Sequence, residues 1–219
     1  MPRWLVIVLL TLILSACAAK RELVIYPPLE KIAVLPFEPV CPGQVGEIIT
    51  CAITGESFRA SPIGEKEVET LTRSLFRRLE SDPRFLLVSP GRARGLWAAA
   101  LAQNPGASPV ALIQGIGREL GAQAVLYGKI FRWVEREGSG YSVVQPASVA
   151  FSLYLIRVSD GAVIWRASFD ETQRPISENI FALSLYGRFG WLTADELARR
   201  GLDRLLAGFP YLQGQKASE

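Results

Sequence analysis

The amino-acid sequence predicts an α/β protein, bordering on α+β, with one mixed β-sheet and helices packed on it. Three observations carry this expectation. Lys31-Ile-Ala-Val-Leu-Pro-Phe37 is a short continuous apolar run, consistent with a strand buried on both faces. Ser61-Pro62, Ser89-Pro90 and Ser108-Pro109 each place a capping hydroxyl before a proline suited to the first helical position. Beyond Gln123 the pattern turns to β, and Asp160-Gly161 reads as a hairpin turn.

The elements follow in order. After the run at 31–37, residues 38–60 read as an insertion. Val68, Leu71, Leu75 and Leu79 then fall on one face at helical spacing, and Asp82-Pro83 ends that helix. Arg84 to Ser89 is a second strand candidate. An alanine-rich helix carrying Trp97 follows and stops at Asn104-Pro105-Gly106. The next helix carries Leu112, Ile116 and Leu120, with Gly121 as a left-handed cap. A strand from Ala124 to about Val134, a polar turn at 135–140 and a long strand over Ser142–Val158 come next. Val163, Trp165, Ala167 and Phe169 alternate with Ile164, Arg166 and Ser168, which predicts one buried face. Thr193-Ala-Asp-Glu196 is a capping box opening the last helix, whose apolar face holds Ala198, Leu202, Leu205, Leu206 and Phe209. The early βα units suggest parallel pairing, and the late hairpins are antiparallel.

Composition narrows the function classes. Of 219 residues, 49% are hydrophobic and 21% charged, a globular balance with enough chain for one cored domain. Residues 1–16 contain one charge, Arg3, so the 24 basic residues become 23 against 21 acidic once they are removed. That balance offers no electrostatic footprint for nucleic acid. The chain has no histidine, which excludes a Ser-His-Asp triad, a Cys-His pair and an HExxH zinc site. No cofactor or metal site is expected.

The amino terminus reads as an export signal. After Arg3, residues Trp4 to Leu14 are apolar except for Thr11. Eleven helical residues span roughly 16 Å, short of the ~30 Å hydrocarbon core, so the segment fits a cleaved signal better than an uncleaved anchor. Leu14-Ser15-Ala16-Cys17 resembles the bacterial lipobox. By that resemblance, residues 1–16 are removed and Cys17 is acylated, tethering the chain to a membrane through its lipid. Two or three acyl chains anchor firmly where one does not. Ala18, rather than Asp, follows the cysteine. By resemblance to lipoproteins of two-membrane bacteria, this favours the periplasmic face of the outer membrane. Residues 17–30 are expected to be a lipidated tether, stiffened by Pro27-Pro28. Residues 31–212 are expected to form the domain, and 213–219 a polar tail.

Cys41 and Cys51 remain once Cys17 is acylated. An even pair in an exported protein reads as a disulfide, stapling the insertion and contributing on the order of 2–3 kcal/mol. Two free thiols are the alternative; two cysteines without histidine make a poor zinc site.

No active site emerges. Gln114-Gly-Ile-Gly-Arg-Glu-Leu-Gly121 lies within and at the end of a helix, whereas a dinucleotide loop opens one after a strand. Asp170 and Glu171 are strand neighbours and point to opposite faces. Glu65, Glu67 and Glu69 suit a helix start. The unusual stretch is Thr172–Leu192, which holds Phe181, Tyr186, Arg188, Phe189 and Trp191. Either it covers the sheet and completes the core, or its aromatics and arginine form a surface for a partner or for self-assembly.

With the lipobox, Ile32-Ala-Val-Leu-Pro-Phe37, Gly121-Ala-Gln-Ala-Val-Leu-Tyr-Gly128 and Asp160-Gly-Ala-Val-Ile-Trp165, the chain resembles a broad bacterial lipoprotein group. The group includes the curli secretion-channel lipoprotein, the ring lipoprotein of Pel polysaccharide export and the outer-membrane activator of penicillin-binding proteins. The amino-terminal domain of the Tol-system periplasmic protein has a similar fold. The resemblance implies an α/β domain that binds envelope proteins or itself, as a homo-oligomer, without catalysis. A regulator of a peptidoglycan synthase is the second reading, and a histidine-independent enzyme the third.

Overall fold

The buried run at the start of the domain becomes the strand around which the sheet is built. The computed structural model describes residues 26–40, 46–51, 53, 55–139, 142–174 and 191–212. Ile32–Val34 forms β1, fully buried, and pairs in parallel with β5 (Phe85–Leu87) on one side and β6 (Ala124–Val134) on the other. β9 (Ser148–Arg157) pairs antiparallel with β6, and β10 (Val163–Thr172) antiparallel with β9. The sheet order is β10-β9-β6-β1-β5, with β2 (Glu38–Pro39) parallel to β6 further along the same edge. The fold is the expected α/β one with a single mixed main sheet.

Helices cover both faces. The chain steps outward from β1 to β5 through α1 (Glu65–Leu79). It then returns past β1 to β6 through α2 (Pro90–Gln103) and α3 (Pro109–Glu119). Crossovers of one hand running in opposite directions leave their helices on opposite faces. Leu71, Leu75 and Leu79 of α1 accordingly pack with Ile32, Val34, Leu126, Phe151 and Phe169. Ala93 and Leu96 of α2 and Ile113 and Ile116 of α3 pack with Ala33, Val125, Phe131 and Tyr154. The last helix, α4 (Ala194–Ala207), joins α1 through Leu197, Leu202, Leu205 and Leu206. Cover on both sides explains why β9 is buried along nearly its whole length despite its antiparallel neighbours.

The local signals act where the sequence places them, with one exception. Ser89 and Ser108 accept from the amides of Arg92 and Ala111, and Thr193 and Glu196 form the reciprocal capping box. Gly121 ends the α3 region at φ +59°, a left-handed conformation that suits glycine. Ser61-Pro62 starts no helix: α1 begins after Gly64, which offers no side-chain cap. Ser61 is engaged instead at the end of β6, its hydroxyl accepting from the Trp133 amide at 2.8 Å. Glu65 and Glu67 complement the helix dipole in its place.

Three boundaries shift. The expected strand over Ser142–Val158 divides at Pro146, which has no N–H for a ladder. Its first part, β8 (Ser142–Gln145), pairs with β7 (Glu137–Ser139), so the expected polar turn contains a strand. The insertion contributes β2 and a hairpin of β3 (Ile48–Thr50) and β4 (Ser57–Arg59). Phe58 stacks on Phe131 with centroids 4.1 Å apart, fixing this hairpin to the α2/α3 face. The carboxyl end of the expected tether is docked on the domain. Leu29 is buried, the Glu30 amide donates to Gln123 Oε1 at 2.6 Å, and Tyr211 Oη donates to the Pro27 carbonyl at 2.8 Å. Tyr26 meets Tyr211 edge-on. Pro27-Pro28 holds this stretch extended, so little entropy is lost on docking while Tyr26 and Leu29 bury apolar surface.

Candidate functional site

A cleft opens where β1 ends. Pro36 cannot continue the ladder, and the following amide, Phe37 N, leaves the sheet to donate to Thr72 Oγ1 of α1 at 3.0 Å. Across from it Gly128 lacks a side chain: a Cβ there would stand 2.5 Å from the Phe37 ring. The strand resumes at β2 with its register to β6 moved by one residue, from Val34↔Leu126 to Glu38↔Lys129. This break leaves a concavity of about 720 Å³ floored by Pro36–Pro39. The first turns of α1 and α2 wall it through Glu65, Val68, Glu69, Thr72, Ala93, Arg94 and Trp97. It lies outside the carboxyl ends of parallel strands, beside the point where the connections reverse direction, where open α/β sheets receive ligands.

Its polar groups are unevenly satisfied. Tyr127 Oη donates to Glu38 Oε2 at 3.0 Å. The Tyr127 ring meets Trp97 edge-on at 6.0 Å and stacks towards Tyr154 at 6.3 Å. Burial pushes the Glu38 carboxyl above the usual carboxylate range, against the Tyr127 hydrogen bond and the charge of Lys129. Burial, with Glu38 beside it, drives the Tyr127 phenol well above its ordinary value. On the rim Glu69 pairs with Arg73, and Arg94 approaches Glu65 at 3.8 Å. These rim pairs are exposed and contribute little to stability.

Two consequences are testable. Thr72→Val keeps the side-chain shape but strands the Phe37 amide, so denaturant unfolding is expected to show a loss of about 1–3 kcal/mol. For Glu38, the folded carboxyl holds its proton at pH values where the unfolded one, near 4.5, releases it. In that window the folded state binds more protons, so stability falls as pH rises. Glu38→Gln carries no charge and is expected to flatten this dependence. It should melt above the parent at pH 7 and level with it at pH 4.

The residues singled out in the sequence lie elsewhere. Cys17, Cys41, Phe181, Tyr186, Arg188 and Phe189 fall outside the described residues. Cys51 is buried beside the sheet, its Sγ 3.1 Å from Tyr154 Oη. Trp191 is half-buried, next to fully buried Leu192, whose amide donates to Gln173 Oε1 at 2.7 Å. Sequence reasoning assigned Glu65 and Glu69 to the dipole of α1, a role Glu65 keeps, and missed that both reach the cleft. It missed Glu38 and Trp97 as partners altogether. The available signal was Pro36 and Pro39, which interrupt a buried strand just before the first crossover. Among the described residues no three potential metal ligands come together, and no helix is long and apolar enough to cross a membrane.

No curated protein sequence matches the chain. Among solved structures, the PelC dodecamer from Paraburkholderia phytofirmans is 17% identical, with a TM-score of 0.44 over 81% of this chain and 85% of that one. The LpoB C-terminal domain from Salmonella enterica is 20% identical, with a TM-score of 0.35 over 75% and 93%. The corresponding domain from Escherichia coli is 17% identical, with a TM-score of 0.36 over 74% and 94%. The family model described as peptidoglycan-synthase activator LpoB matches residues 66–169, just under half of the chain, from α1 to β10. The chain thus resembles the broad lipoprotein group to which its strand and turn motifs pointed, and over residues 66–169 it is similar to the peptidoglycan-synthase activators within that group.

Proposed function

We propose that this chain is a lipid-anchored, non-catalytic component of the cell envelope that works by binding envelope proteins or further copies of itself. The observation that carries this reading is the match of the activator model to residues 66–169, which include nearly all of α1, all of α2 and α3, and the strands β5, β6, β9 and most of β10, with β1 and β2 outside it. An activator acts by contact with its enzyme, which needs a shaped surface rather than catalytic groups. Cys17 supplies the anchor, and Ala18 favours the periplasmic face of the outer membrane. With residues 26–30 docked, a stretch as long as residues 18–25 would reach at most roughly 30 Å from the lipidated cysteine. Partners must therefore meet the domain close to that membrane. Phe181, Tyr186, Arg188, Phe189 and Trp191 form a second binding surface. The Cys41–Cys51 bridge holds the insertion against the α2/α3 face. Non-reducing mass analysis of the mature chain should find it two hydrogens lighter than the reduced form; two free thiols refute the bridge.

The same match favours a sharper reading, in which the bound protein is a peptidoglycan synthase. The purified chain is added to the synthase of the same cell in detergent, and glycan polymerisation is followed. A faster rate supports regulation. An unchanged rate, with multimers in sedimentation equilibrium, supports self-assembly instead. A monomer with no effect and no complex overturns both.

A further inference from the structure

The two outer strands of the main sheet end it differently. β5 is blunted: it has three residues, and the Phe85 amide turns back to the Asp82 carbonyl at 3.1 Å. β10 runs for ten residues without a proline, and its one irregularity, the bulge at Val163/Trp165, lies at its start. Beyond Thr172 the Gln173 amide donates to the Ala147 carbonyl at 2.9 Å. Hydrogen-bonded pairs alternate along an antiparallel ladder, so Glu171, Phe169, Ala167 and Trp165 bond to β9 through N–H and C=O. Arg166, Ser168 and Asp170 turn theirs outward, where they meet no backbone partner among the described residues. An edge of this length with free backbone groups is a template for another strand.

Charge selects the strand. Arg166, Ser168 and Asp170 share the α2/α3 face of the sheet, opposite Tyr154, Ser152 and Ala150 of β9. Asp170 pairs with Arg132, and Glu56 accepts from the Ser168 hydroxyl at 2.6 Å. Counting these contacts, two cations stand against two anions, so the edge has no net charge to repel a second copy. Arg166 is exposed and is the one of the four without a partner among the described residues. An antiparallel second copy with its two-fold axis at Ser168 sets Arg166 opposite Asp170, and does so twice. An axis at residue 166 or 170 sets like charges opposite each other, which is destabilising. An axis at residue 167 or 169 leaves Arg166 opposite Ser168 or Thr172, without a charge. The sequence of this edge is thus complementary to itself in one register.

We propose that β10 is the edge through which this protein pairs with a second copy of itself, antiparallel about an axis at Ser168, so that two main sheets become one. The proposal rests on the reading of the chain as a component that binds envelope proteins or itself, and names the surface for the second case. On the α4 side Ala167, half-buried in one copy, comes to lie opposite Phe169 of the other and is covered. A contact of the same patch on both copies closes at two, so this edge yields a dimer and no filament.

The test uses the full mature chain in detergent, with micelles in large excess over protein. Sedimentation equilibrium should show a monomer–dimer equilibrium. Amide hydrogen exchange, read residue by residue at two protein concentrations, should show the alternation. The Arg166, Ser168 and Asp170 amides should exchange faster on dilution, while those of Trp165, Ala167 and Phe169 stay slow at both concentrations. Arg166→Glu replaces two attractive contacts by two repulsive ones and should weaken the dimer about tenfold or more, with melting unchanged. A monomer at every concentration overturns the proposal. So do edge amides that are equally slow at both concentrations, which would mean that the chain covers its own edge. Multimers that Arg166→Glu leaves intact sink this edge but leave self-assembly through another surface. A monomer that still crosslinks to other envelope proteins sinks the edge and leaves the partner-binding reading, whereas a monomer without crosslinks sinks both.

Discussion

Replacing Phe209 by alanine is expected to destabilise the domain by about 3–5 kcal/mol. Phe209 is fully buried just beyond α4 and gathers three elements around its ring. Trp165 of β10 meets it edge-on at 4.7 Å, Tyr211 lies at 5.7 Å and Phe85 of β5 at 6.1 Å. β5 and β10 are the two outer strands of the main sheet, so this one side chain bridges its ends beneath α4. The hole cannot close easily. Trp165 Nε1 is held by the Gly208 carbonyl at 3.2 Å, and Arg84 Nη2 holds the Tyr211 carbonyl at 2.7 Å. Both fix the backbone on either side of the missing ring. Thermal unfolding should shift downward by on the order of 10 °C. Because Tyr211 also holds Pro27, protease cleavage between Cys17 and Leu29 should accelerate in parallel. A loss below about 1 kcal/mol would mean that the surrounding rings collapse into the space.

Replacing Cys17 by serine has the largest effect on function. A serine hydroxyl does not receive the lipid, so the variant, exported behind a signal that is cut without lipidation, should move from the membrane fraction to the soluble periplasmic fraction. The domain itself should be untouched, since its described contacts begin at Tyr26. On the proposed anchoring, a short tether would hold the domain at an effective concentration on the order of millimolar near a membrane-bound partner, an advantage that would disappear with the lipid. Crosslinks to membrane partners should fall accordingly, while melting is unchanged. Retention in the membrane of that variant, which lacks residues 1–16, would contradict the lipid as the anchor.

Much of the architecture was legible because its causes are local. Ile32–Val34 reads as a doubly buried strand from three consecutive apolar residues, and it is one. Ser89, Ser108 and Thr193 announce helix starts with side chains that cap amides three residues on. Ser61 carries the same letters and fails, because Trp133, 72 residues away, claims its hydroxyl. A tertiary partner of that kind leaves no trace in a local window. Residues 26–30 mislead for a related reason. Their prolines and charges look like linker, while Tyr211 and Gln123, which hold them, lie far along the chain. The cleft was illegible for the strongest form of this reason. Glu38, Glu65 and Trp97 meet only because the crossovers put α1 and α2 on opposite faces of one strand end. Each residue alone has an ordinary local explanation.

Crosslinking of the lipidated chain in intact cells, followed by mass identification of the adducts, tests the account most directly. The account predicts covalent adducts with one or a few envelope proteins, a peptidoglycan synthase among them on the sharper reading, or a ladder of the chain with itself. Those adducts should weaken in the Cys17→Ser variant. A chain that stays monomeric and unlinked in the membrane, at crosslinker levels that trap known envelope complexes, would contradict it.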